Sequence, residues 1–218
     1  MLHGDSTPTR MSLIRRLQMS ELRYRHTFLV NHVIKTTLRP VAALSKGSHG
    51  TVLIEAGVFE ETESFDLETK NATFSSFGDI SPIISFSLAD DAAAFITKGT
   101  GTVRFELLHF VPSSSAHVIL QNGDGNLEVW NCSFVGTEDV NAVIRVAILK
   151  ATEGTVSLAS TTFSGLTFAD AHVVECVGSS TKLEITLCQF MEMKGATPAL
   201  IVFEPLIVTN NKARLPVF

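Results

Sequence analysis

The chain has 218 residues, 45% of them hydrophobic and 18% charged, with a formal net charge of −5. This composition excludes a disordered segment, which would be poor in aliphatic residues and rich in charge, and three Cys are too few for a disulfide scaffold. The longest nearly apolar run, Pro198 to Val208, is broken by Glu204 and falls short of the roughly 20 residues that a transmembrane helix needs. What remains is a core-forming chain long enough for one domain with an arm. Fifteen Phe stand against one Tyr and one Trp, a choice that favours interior packing over a polar aromatic binding platform.

Residues 1–46 form a basic arm. They hold eight basic residues and two acids, Asp5 and Glu21, a net +6, while the remainder carries −11. The break falls near Ser45–Gly50, where Ser-Lys-Gly-Ser-His-Gly reads as a loop. Leu13, Leu17, Tyr24 and Phe28 fall on one helical face, so a helix is expected over Ser12–Arg25. Thr27–Leu38 is β-branched and reads as a strand. No continuous apolar stretch resembles a signal peptide. The basic residues carry no nucleic-acid recognition motif, and the sequence pI is about 5.8. The arm is expected to cover the open end of the domain that follows, over residues 47–208, with 209–218 as a tail.

A repeat runs through that domain. Four segments superimpose on a terminal Phe: Gly101 to Phe110, Gly125 to Phe134, Gly154 to Phe163 and Thr181 to Phe190. Seven residues before the Phe stand Val103, Leu127, Val156 and Leu183; five before it stand Phe105, Val129, Leu158 and Ile185. Two before it stand Leu108, Cys132, Thr161 and Cys188. Weaker copies end at Phe59 and Phe74, only 15 residues apart, too close for both to be full units.

Within each copy the alternation is that of a strand: Leu127 and Val129 inward, Glu128 and Trp130 outward. The phase then slips by one residue at Asn131, as a bend with one left-handed residue would require; Asn tolerates that conformation. Asn71 is assigned the equivalent place. A further apolar strand follows each anchor, at Ile83–Phe86, His117–Leu120, Val143–Val146, Val173–Cys176 and Leu200–Phe203. Three short strands per 24–29 residues predict one turn of a parallel solenoid. The fold class expected is all-β, a right-handed parallel β-helix of about five or six rungs.

Segments such as Gly-Asn-Leu-Glu-Val-Trp-Asn-Cys-Ser-Phe resemble the rungs of pectin-lyase-like right-handed parallel β-helix proteins. They are most similar to the degenerate Asn-Cys-x-Phe rungs of polymorphic outer-membrane-type and protist surface proteins. The resemblance covers roughly residues 50–205 and implies an extracellular or cell-surface setting.

Catalytic members of that superfamily use clustered carboxylates, or acidic residues that bind Ca²⁺ beside a basic proton acceptor. Asp90-Asp91 is the one adjacent acidic pair of interest, and is expected to be a solvated turn, as is Asp124. No Gly-His-Gly or Arg-Ile-Lys motif resembling the polygalacturonases occurs. Arg104 and Arg145 read as strand residues, with Arg104 outward and solvated. His172 and Glu175, three apart on a strand, would face opposite ways and form no metal pair. Asn71-Ala-Thr73 and Asn131-Cys-Ser133 match the glycosylation acceptor pattern; both are expected to be turn residues whose amides bond backbone groups. Cys132 and Cys188, in one column with Thr161 between them, are expected to be free thiols.

No catalytic, cofactor or metal residue is therefore assigned. The expected function is a non-catalytic interaction module offering strand faces and loops to a protein or glycan partner, with neither nucleic acid nor a transmembrane segment involved. The alternative is a polysaccharide lyase or glycoside hydrolase. Convergence of acidic and basic residues from consecutive rungs in one groove would favour that alternative.

Overall fold

A computed structural model describes residues 30–34, 49–68, 71–137, 143–195 and 201–203. These contain strands and no helix. The helix expected over Ser12–Arg25 and the tail 209–218 lie outside the described residues.

Among the described residues three long parallel sheets make a parallel β-solenoid of about five turns. Sheet A holds Val30–Ile34, His49–Glu55, Asn71–Phe77, Thr102–Glu106, Asn126–Trp130, Thr155–Ala159 and Lys182–Thr186. Sheet B holds Val58–Glu61, Ile83–Phe86, His109–Val111, Ser133–Val135, Thr162–Ser164 and Gln189–Met191. Sheet C holds Phe65–Leu67, Ala93–Thr97, His117–Gln121, Leu149–Ala151, Val174–Cys176 and Ile201–Phe203. The chain passes from A to B to C and returns to A one rung on. Val30–Ile34, within the segment read as a strand, pairs in parallel with Gly50–Ile54.

Sequence alternation dictates what fills the interior. In sheet A, Val103, Leu127, Val156 and Leu183 are paired in successive strands, and all are buried. The next inward column is Phe105, Val129, Leu158 and Ile185, also buried. In sheet B the Phe anchors stack ring on ring. Phe110 and Phe134 have centroids 5.1 Å apart, Phe134 and Phe163 4.8 Å, and Phe163 and Phe190 5.2 Å. The last two pairs are tilted by only 9° and 5°. The rung repeat of a parallel sheet, about 4.8 Å, matches the stacking distance of aromatic rings, so one residue type satisfies both constraints.

The bend between sheets A and B is a single left-handed residue in each of the last four rungs. Leu107, Asn131, Ser160 and Leu187 have φ of 57°, 47°, 50° and 56°. Their amides continue the ladder: Leu107 N–H donates to Trp130 O, Asn131 to Ala159 O and Ser160 to Thr186 O. The following residue turns inward. There Cys132 Sγ, Thr161 Oγ1 and Cys188 Sγ each contact the carbonyl two residues back, on Trp130, Ala159 and Thr186. In these three rungs a small side chain with one donor fills the corner, where the rung before them buries Leu108. All three Cys are free and buried, in accord with the expectation for Cys132 and Cys188.

The first two rungs correct the sequence reading. Phe59 is a true anchor, paired with Ile84, and Ile84 with Phe110. Phe74 is not; it pairs with Val52 and Phe105 in sheet A. Both early rungs are complete, and Ile83–Phe86 belongs to sheet B rather than to the third strand. Asn71 likewise pairs with Thr102 at a strand start and is not the counterpart of Asn131. Val143–Ile144 is part of a fourth short sheet with Thr167–Phe168 and Lys194–Gly195. The sheet C strand of that rung is Leu149–Ala151.

The return from sheet C to sheet A is tight. Gln121 is buried, and its Nε2 donates to the carbonyls of Gly123 and Gly125 at 2.7 and 3.1 Å. A Cβ on Gly154 would lie 2.3 Å from Gly125 O and 2.5 Å from Gly123 O, so stacked turns at this corner exclude side chains.

Candidate functional site

Two outward features stand apart from the regular surface. One lies on the outer face of sheet A. Arg104 pairs across the sheet with Glu128, and its Nε and Nη2 both donate to Glu128 Oε2, at 2.6 and 2.5 Å. The same guanidinium lies 4.4 Å from the centroid of Trp130. Arg104 was expected to be solvated; instead its side chain is 34% exposed, held by the carboxylate and the indole. Trp130 points outward by strand alternation and is 39% exposed. The only Trp of the chain therefore sits on an outer face, its ring fixed by an adjacent cation.

The other feature is a hollow of about 250 Å³ at the corner where the chain enters sheet C. It is lined by side chains from four consecutive rungs, among them Asp91, His117, Arg145, Lys150, His172 and Glu175. The register explains why they meet. Phe95, Ile119, Leu149 and Val174 are paired in successive strands. Four residues before each stand Asp91, Ser115, Arg145 and Asp170. Two before each stand Ala93, His117, Ala147 and His172.

His117 is buried, and its Nδ1 lies 2.5 Å from Ala147 O. The carbonyl can only accept, so Nδ1 carries the proton, and Nε2 faces Asp91 Oδ1 at 3.6 Å. Lys150 Nζ stands 4.0 Å from Glu175 Oε2. Asp91 and Asp170 both have positive φ, 61° and 53°, in turns that Asp tolerates better than most residues.

The sequence readings of these residues divide. Asp90 and Asp91 do form an exposed turn, yet Asp91 also borders the hollow. Arg145 lies just past the strand Val143–Ile144, not on it. His172 precedes the strand Val174–Cys176, so the alternation rule that set it opposite Glu175 does not apply, and both line the same hollow. No group of three metal-ligating side chains occurs among the described residues. The place of His117 in this corner, which four rungs line, depends on register, which no local motif encodes. Asn71 Oδ1 accepts the Thr102 amide at 2.9 Å, the backbone role expected of it, although at a strand start.

Burial tunes several groups. It pushes the Cys132 thiol up to about 12 and, with the Glu175 charge adding, Cys176 up to about 11. Cys188 is raised for the same reason. These thiols are inert packing groups, not nucleophiles. Burial also lowers the pKa of His109, which lies 3.1 Å from Ser133 Oγ. No helix among the described residues is long and apolar enough to cross a membrane. No family model matches the chain, and no curated protein matches it.

Proposed function

We propose that the domain is a non-catalytic interaction module of the surface β-helix type, presenting the outer face of sheet A to a glycan or protein partner. The observation that supports this is the partly exposed Trp130, with the Arg104 guanidinium, itself bonded to Glu128, over its ring. Trp and Arg dominate the binding energy of interfaces, and a cation already placed over the ring keeps the two together as one contact surface. The pectin-lyase-like resemblance of the rungs supports an extracellular or cell-surface setting. A glycan array read with the wild-type chain and with Trp130→Ala tests the reading. Binding that falls at least about tenfold in the variant is expected, one tenfold step being ~1.4 kcal/mol; binding that survives the substitution overturns it.

A carbohydrate-active enzyme is the second reading. The observation in its favour is the convergence of Asp91, His117, Arg145 and Glu175 in one hollow. Against it stands exposure. Asp91 is 81% exposed, and electrostatic catalysis draws its strength from sites that exclude water. Turnover of pectate or a related polyuronate that disappears in Asp91→Ala would establish the enzyme reading.

A further inference from the structure

The hollow at the sheet C corner lies away from the Trp130 face and carries an inference of its own. Its charges have both signs. Arg145 and Lys150 supply cations from one rung; Asp170 and Glu175 supply carboxylates from the next, and Asp91 lies two rungs before Arg145. Arg145 and Asp170 come from adjacent rungs and line the same hollow, although strand pairing of Ile144 with Phe168 sets Arg145 opposite Ala169. Both are exposed, and neither forms an ion pair among the described residues. By contrast Arg104 and Lys98 are paired, to Glu128 and Asp66.

Two opposite charges that line one hollow and form no ion pair among the described residues match a ligand that carries the complementary two. The guanidinium fork suits a carboxylate, and the neighbouring carboxylates suit an ammonium group. Among the described residues no Phe, Tyr or Trp lines the hollow, which disfavours a neutral sugar that would need a ring to stack on. Its 250 Å³ is below the roughly 300–1,000 Å³ of drug-sized pockets and admits one small molecule. We infer that this hollow binds a small zwitterion, an α-amino acid bearing its carboxylate on Arg145 and its ammonium on Asp170 and Glu175.

The test is an amide and guanidinium NMR titration of the full chain with each of the common α-amino acids up to ~10 mM, enough to fill a millimolar site. At least one is expected to shift the Arg145 side-chain signal together with the amides of residues 145–147 and 170–172. For that amino acid, the deaminated acid and the decarboxylated amine should each bind at least tenfold more weakly. Arg145→Ala should abolish the preference for the zwitterion over the amine, and Asp170→Asn the preference over the acid. No shift with any amino acid overturns the inference, as does equal binding of the deaminated acid. Both variants alter exposed side chains, and an unchanged spectrum elsewhere certifies the fold.

Discussion

Rungs from Thr102 onward and the two rungs before them are built on one plan but read differently in sequence. In the later rungs the inward residues of sheet A stand seven and five positions before the sheet B anchor, as Leu127 and Val129 do before Phe134. That spacing is fixed because the corner is one left-handed residue. In the first rung Gly50 stands nine before Phe59, and in the second Ala72 stands twelve before Ile84. There the sheet A strands run seven residues, His49–Glu55 and Asn71–Phe77, and Gly78, with φ 107°, opens a longer turn. The periodicity of a solenoid thus belongs to its tightest corner. Where the corner relaxes, register survives and spacing does not.

The largest expected effect is in the regular stack. Phe134→Ala removes the middle of a four-ring column and should cost about 3–5 kcal/mol. Ile84→Ala, the same position in an early rung, should cost less, in the range ~2–4 kcal/mol. Chemical denaturation of the two variants measures both; equal or reversed losses would mean that stacking adds nothing to the later rungs.

Glycines sharpen the comparison next. Gly154→Ala would force a Cβ against two carbonyl oxygens and should cost about 2–3 kcal/mol. Gly78→Ala, with nothing within 4 Å of the new atom, should cost only the backbone strain, about 1 kcal/mol. Similar melting temperatures for the two would show that the later corners are not crowded.

How much was legible follows from the same contrast. The Phe column and the phase slip at Asn131 were readable, since both repeat at fixed offsets. Phe74 was misread as an anchor because a buried Phe in sheet A looks the same as one in sheet B when spacing is lost. Trp130 was legible as outward, but its hold on Arg104 spans 26 residues and needs the register. The hollow was invisible: Asp91, Arg145 and His172 lie in loops of variable length before sheet C, and only strand pairing aligns them.

A smaller gain is expected at the corner itself. Leu187 is 64% exposed with φ 56°, so Leu187→Asn loses little packing and relieves left-handed strain. It should stabilise the chain by about 0.5–1 kcal/mol, read as a raised denaturation midpoint. The mildest effect is that of pH. The buried thiols ionise near 9.0 when exposed and only near 11 to 12 at Cys176 and Cys132 when folded. Their raised values favour the folded state fully below pH 9.0, and that contribution fades as pH climbs through the folded values. Unfolding midpoints should therefore decline above pH 9.0, and less steeply in Cys132→Thr, which places in that column the residue found at position 161.

The register itself is tested most directly by paired cysteines on the outer face of sheet A. Glu128 and Ser157 are partners in adjacent rungs, and Ser157 and Glu184 in the next. Neighbouring Cα atoms about 4.8 Å apart fall within disulfide range, whereas two rungs, roughly 9–10 Å, exceed it. Mild oxidation should close an intramolecular disulfide in Glu128→Cys/Ser157→Cys and leave Glu128→Cys/Glu184→Cys open. Closure of the second pair without the first would contradict the stacking on which both the Trp130 face and the hollow depend.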